Sequence, residues 1–197
     1  MPVVPPGTAD VVVTNAHGKS TLADAFTCYA WPPVFSSDAR HLDADPPMAH
    51  ASVSPRICCD GRHAWVVWFD KRNGKHDVYL NRSEDGGMSW LTEDVRLNTN
   101  GAGASESWGP QICCHGTYVF VVWADDRQGE HDVYLAASRD GGATWTSSDI
   151  RLDTDTPGSV PSRQPQICSD GARVYVTWYD DSLSGSDVYA TASRPQP

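Results

Sequence analysis

PRICCDGRHAWVVWFDKRNGKHDVYLNRSEDGGMSW (55–90) is written again as PQICCHGTYVFVVWADDRQGEHDVYLAASRDGGATW (110–145). Most of it returns a third time as PQICSDGARVYVTWYDDSLSGSDVYATASRP (165–195). The step is 55 residues throughout: Trp68, Trp123 and Trp178 align, as do Tyr79, Tyr134 and Tyr189, and Ser83, Ser138 and Ser193. Such a period marks a repeat architecture, in which each unit buries its apolar face only against its neighbours. Inside each copy, short alternating runs are separated by Gly, Asp and Asn, which is the pattern of strands and turns. The second copy reads as strand A at 110–114, strand B at 117–123, strand C at 132–138 and strand D around 148–153. No segment keeps a helical period. Four antiparallel strands per repeat describe a propeller blade. The predicted fold class is all-β, a β-propeller of four-stranded blades with about three blades in the chain.

The period divides the chain into an arm at 1–54, blades at 55–109 and 110–164, and an incomplete blade at 165–197 lacking its own strand D. Within the arm, FSSDARHLDADPP (35–47) is similar to TSSDIRLDTDTP (146–157) and reads as a strand D. ADVVVTNAHG (9–18) is similar to HDVYLAASRDGG (131–142) and reads as a strand C, with Trp31 closing its decayed loop. Three blades in an open arc would expose two apolar faces and a sheet edge. The economical closure is a homodimer, in which the N-terminal strand D of one subunit completes strands A, B and C of the other to make six blades. A fragment of a longer propeller is the rival reading.

Composition excludes several partners. Twenty-five acidic against 15 basic residues give a formal charge of −10, and no basic run exists, so neither nucleic acid nor an anionic membrane is an expected partner. No apolar stretch approaches the ~20 residues of a spanning helix. The start, MPVVPPGTAD, lacks the basic and apolar regions of a signal peptide. Cys28, Cys58, Cys59, Cys113, Cys114 and Cys168 follow the repeat and not a metal-binding spacing. They read either as small apolar fillers or as disulfides joining consecutive blades, Cys59 with Cys113 and Cys114 with Cys168, leaving Cys58 with Cys28.

The loops SEDGGMSW (83–90) and SRDGGATW (138–145) share Ser-x-Asp-x-Gly-x-x-Trp. This resembles the Asp-box, or bacterial neuraminidase repeat, of sialidase-like propellers, and the resemblance covers roughly 55–195. It implies structural roles for Ser83, Asp85, Gly87 and Trp90, and for Ser138, Asp140, Gly142 and Trp145, on the face away from the active site. It also implies a secreted or periplasmic location and sialidase activity. Against that activity, Arg56-Ile57 is followed by Cys58 where the family has Arg-Ile-Pro, and no Tyr is assignable as nucleophile. Exo-sialidase activity itself is therefore not expected.

Function is sought on the opposite face, formed by the B–C and D–A loops. The B–C loops repeat Asp70, Arg72 and His76 as Asp125, Arg127 and His131, and the third copy keeps Asp180 with Ser182 and Ser186. Asp–Arg pairing within a turn explains much of this set, and an exposed pair contributes only ~0–1 kcal/mol. The D–A loops add Arg56, Glu106, Trp108 and Arg163: the Trp to stack on a sugar, the arginines to bind a carboxylate or sulfate. His50, His76 and His131 with nearby carboxylates could hold a divalent metal gathered from separate loops. Two function classes follow: a carbohydrate-binding module with loop-face sites, or a glycoside or ester hydrolase, metal-assisted or not, with its site on that face or the central axis. A purely structural role is the third.

Overall fold

In the computed structural model, residues 7–15, 18–28 and 39–194 are described, the first two segments by backbone alone. The chain divides into two units, Met1–Arg40 and His41–Pro197. In the first, β1 (Gly7–Asn15) and β2 (Gly18–Cys28) form an antiparallel hairpin. This corrects the reading of 9–18 as a lone strand C with a decayed loop. The alternation of Leu22, Asp24 and Phe26 supports a second strand, which pairs with β1 from Gly18 onward. Trp31 lies outside the described residues.

The second unit holds three antiparallel sheets. Sheet 1 comprises β3 (Ser52–Asp60), β4 (His63–Asn73), β5 (Lys75–Ser83) and β6 (Val95–Arg96). Sheet 2 repeats it with β7 (Ser107–His115), β8 (Tyr118–Asp125), β9 (Asp132–Ser138) and β10 (Ile150–Arg151). Sheet 3 has β11 (Ser162–Ser169), β12 (Val174–Ser182) and β13 (Gly185–Ala192). The chain is all-β: among the described residues there is no helix. Register repeats with sequence, Trp68 facing Tyr79, Trp123 facing Tyr134 and Trp178 facing Tyr189.

Each innermost strand begins before the proline at which the sequence reading opened the repeat. The pairing slips between Val53 and Arg56, between Trp108 and Gln111, and between Arg163 and Gln166. Pro55, Pro110 and Pro165 sit in these bulges, where a residue without an N–H costs no ladder bond. Residues 39–47 form no strand, contrary to the strand D reading, of which 35–38 lie outside the described residues. Even so, Leu42 packs beside Val66, Trp68 and Tyr79 of sheet 1, as Leu97 and Leu152 pack at the two sheet junctions.

The core lies between the sheets. Val67, Val78, Leu80 and Leu97 meet Val119, Val121 and Trp123 at the first junction. Val122, Val133 and Leu135 meet Val174, Val176 and Trp178 at the second. The two Ser-x-Asp loops are self-contained. Asp85 Oδ1 accepts from Ser83 Oγ and Ser89 N, both at 2.8 Å, and Asp140 Oδ1 accepts from Ser138 Oγ and Thr144 N at the same distances. Those donors hold both carboxyls well below the usual range. The Trp65 indole donates to Gly141 O at 2.8 Å, tying sheet 1 to the loop of sheet 2.

The disulfide reading is corrected: Cys58, Cys59, Cys113, Cys114 and Cys168 are free thiols. The alternating strand turns Cys58, not Cys59, towards Cys114, to which its thiol donates a hydrogen bond. Burial pushes the Cys58 thiol up and the Cys113 thiol to about 12, so both stay protonated fillers at neutral pH.

Candidate functional site

The β4–β5 turn is organised by Asp70. Its fully buried carboxylate accepts from Arg72 N at 2.9 Å, from the Arg72 guanidinium and from the Trp68 indole at 3.3 Å. Arg72 lies 3.9 Å over the Tyr79 ring and reaches Asp94 at 2.8 Å. Sheet 2 repeats the arrangement: Asp125 takes Arg127 N at 2.9 Å and Ser107 Oγ at 2.7 Å, while Arg127 lies over Tyr134 and binds Asp149. Burial works to raise the Asp125 pKa, but the Arg127 and Ser107 bonds win and hold it below the usual range. These four residues are turn fixtures, as the pairing argument proposed. The aspartates are buried and the arginines half-buried, however, so the exposed-pair magnitude does not apply to them.

Glu106 and His76 meet from different sheets. His76 Nδ1 lies 2.6 Å from Glu106 Oε2, and the imidazole meets Phe69 edge-on, at 4.8 Å, and Trp108 at a tilt, at 4.5 Å. Burial favours the neutral Glu106, and the bonds from His76 outweigh it, so its pKa is lowered. His50 binds Asp45 at 2.8 Å. The three histidines are thus not gathered around a metal. The carboxylates that do converge are Asp132, Asp153 and Asp155, which sequence reasoning did not single out. Arg151 Nη2 sits among all three, as Arg96 sits beside Asp77 in sheet 1. The guanidinium already supplies the cation. Burial, then crowding by Asp155 and Asp132, still pushes the Asp153 pKa up to about 7.

An open cavity of about 580 Å³ lies across the inner strands of all three sheets. Its wall includes Ser54, Gly109 and Gln164, one per sheet at the repeat step, with φ of 54°, 59° and 49°. Left-handed backbone is free for Gly109 but unfavourable for Ser54 and Gln164, and such strain concentrates where structure serves function. Around this common frame the side chains diverge. Val53, Trp108 and Arg163 are equivalent positions, as are Phe69, Ala124 and Tyr179. Trp108, His131 and Arg163, all singled out from sequence, line the cavity. Both ring nitrogens of His131 are buried without a partner, since Pro161 stands where Glu106 would be. Arg163 has only a distant carboxylate, Asp181, at 3.9 Å. Arg56 is not in the wall; it is exposed and bonds Gln111 at 3.3 Å. The bulges and the Glu106–His76 link were missed, and only Gly109 before Pro110 signalled a special backbone position.

The sequence matches no family model and no curated protein. Solved structures are similar in fold. A family 117 glycoside hydrolase from the marine bacterium Zobellia galactanivorans aligns over 79 % of this chain and 56 % of its own, with 11 % identity and a TM-score of 0.53. The family 93 α-L-arabinofuranosidase of Fusarium graminearum, in complex with arabinobiose, aligns over 77 % of this chain and 48 % of its own, with 15 % identity and a TM-score of 0.54. This chain spans about half the length of the structures it matches. Both are propeller-fold glycoside hydrolases, and at this identity the likeness speaks to fold alone.

Proposed function

We propose that the protein is a β-propeller of the glycoside-hydrolase kind that takes a saccharide into the cavity across its inner strands. One observation carries the reading. Three copies hold the same left-handed backbone at Ser54, Gly109 and Gln164, unfavourable in two of them, yet surround it with different side chains. A purely architectural bulge has no need of that divergence. Trp108, at 42 % exposure, offers a stacking face beside Phe69, and Arg163 and His131 offer polar groups on the far wall. Likeness to two glycosidases supports the hydrolase class over a pure binding module. Glu106 bonds His76 and is not among the residues that line the cavity.

Calorimetric titration with arabino-oligosaccharides and other neutral oligosaccharides, paired with a reducing-sugar assay, tests this. Trp108→Ala should weaken binding by roughly thirtyfold, about 2 kcal/mol. Binding without turnover in the wild type returns the protein to the carbohydrate-binding reading. Absence of both, or binding indifferent to Trp108, contradicts the proposal.

A further inference from the structure

Sheets 1 and 2 each bury the outer part of one face under the next sheet; sheet 3 does not. Val78 and Val133 are 0 % exposed, whereas the equivalent Val188 is 82 % exposed. On the same face, Trp65 of sheet 1 is 1 % exposed, whereas the equivalent Tyr175 is 36 % exposed. At the other end of the row, Ile57 of sheet 1 is 66 % exposed, while its equivalents Ile112 and Ile167 pack at the two junctions. The unit therefore presents two apolar surfaces, and each is one half of a junction the chain already forms twice.

Hydrogen bonding repeats the match. Leu97 N donates to Val78 O and Leu152 N to Val133 O, both at 2.9 Å, where the chain leaves one sheet and packs against the next. By the same step Leu42 takes the position of Leu97, and Val188 that of Val78 and Val133, so Leu42 N of one copy would meet Val188 O of another. Leu42 already packs on sheet 1, and Ala44 N donates to Asp94 at 2.8 Å as Thr99 N donates to Asp149 at 3.0 Å. Among the described residues, then, a docked fourth-strand segment lacks its sheet, and β13 lacks a fourth strand beside it.

We propose that a second copy of this chain closes both gaps. The face of one copy that carries Tyr175 and Val188 covers Ile57 and the segment around Leu42 of the other, and the second copy returns the same contact. The two junctions so made have the register of the two inside each chain, with Thr177 and Ala190 where those have Val and Leu. The cavity is completed by the partner, because the ring of bulges formed by Ser54, Gly109 and Gln164 then continues through its three inner strands. This proposal is independent of the ligand that the cavity takes.

Sedimentation equilibrium of the full chain at micromolar concentration tests it, with Val188→Glu and Ile57→Glu as variants. Both sites are exposed, so each variant should keep the thermal unfolding transition of the isolated subunit. The wild type should show twice the chain mass, and each variant should halve it. A monomeric wild type, as when the β1–β2 hairpin of the same chain covers the face, overturns the proposal. So does a dimer indifferent to both variants, or an assembly that grows without limit, because a head-to-tail contact that does not close makes filaments.

Discussion

The junction between sheets 1 and 2 and the junction between sheets 2 and 3 share one backbone plan and differ in a few side chains. The first has Phe69, His76, Glu106 and Trp108; the second has Ala124, His131, Pro161 and Arg163 at the same repeat positions. In the first, the histidine is 5 % exposed, flanked by two aromatic rings and bonded to a carboxylate. In the second, the rings and the carboxylate are gone, the cavity opens and the histidine is left with two unpartnered nitrogens. Buried polar groups are normally satisfied, so an unsatisfied pair beside open space points to a ligand or water. A repeat shows function where its backbone is constant and its side chains are not.

The largest expected effect separates the turns that flank these junctions. Asp125→Ala leaves Arg127 with Asp149 alone and Ser107 without its acceptor, and should destabilise the fold by about 3 kcal/mol. Asp180→Ala, at the equivalent turn where Ser182 replaces the arginine, should cost about 1 kcal/mol, the loss of its bond from Ser162. Denaturant titration of both variants decides it, and equal losses would break the contrast.

A pH effect comes next. Asp153 ionises near 7 in the folded protein against an ordinary 3.8, so the folded state holds its proton through a range where the unfolded state has lost it. Its contribution to stability is therefore present at low pH and lost as pH rises through about 7. Sheet 1 carries Asn98 at this position, and Asn98 Oδ1 accepts from Val78 N at 3.0 Å as Asp153 Oδ1 accepts from Val133 N at 2.9 Å. Asp153→Asn should keep that bond and flatten the fall in melting temperature between mildly acidic and mildly alkaline pH. An unchanged pH profile would show that the Arg151 cluster does not carry this linkage.

The smallest effect comes from making the second junction resemble the first. Pro161→Glu sets a carboxylate where Glu106 stands relative to His76. A charge-assisted bond to His131 worth roughly 1.5 kcal/mol, less the entropy regained by losing a proline, should leave a net gain under about 1 kcal/mol. Saccharide affinity should fall in the same variant. Higher affinity would mean that His131 is not used as a free hydrogen-bonding group.

Much of the fold was legible because the copies corroborate one another. Strand C of the second copy was read at 132–138, and β9 is Asp132–Ser138, since an alternating run bounded by Asp and Gly leaves little freedom. The inner strands were read short because Pro55, Pro110 and Pro165 look like strand starts. A proline also argues against left-handed backbone just before it, so only Gly109 betrayed the bulge. Trp108 and Arg163 were legible as residues that break the repeat, and His131 as one that keeps it. The union of His76 with Glu106 was not, because it joins separate strands across a sheet junction that no local pattern encodes. The cysteines misled for a related reason: spacing gave the strands, but the facing of each side chain decided that Cys58 meets Cys114.

The central claim is that a saccharide occupies the cavity across the inner strands, beside His131. It is tested most directly by following the imidazole resonances of His131 and His76 during titration with an arabino-oligosaccharide. Saturable shifts at His131, larger than those at the enclosed His76, are the predicted result. No shift at His131 while the saccharide binds, or shifts confined to His76, would contradict it.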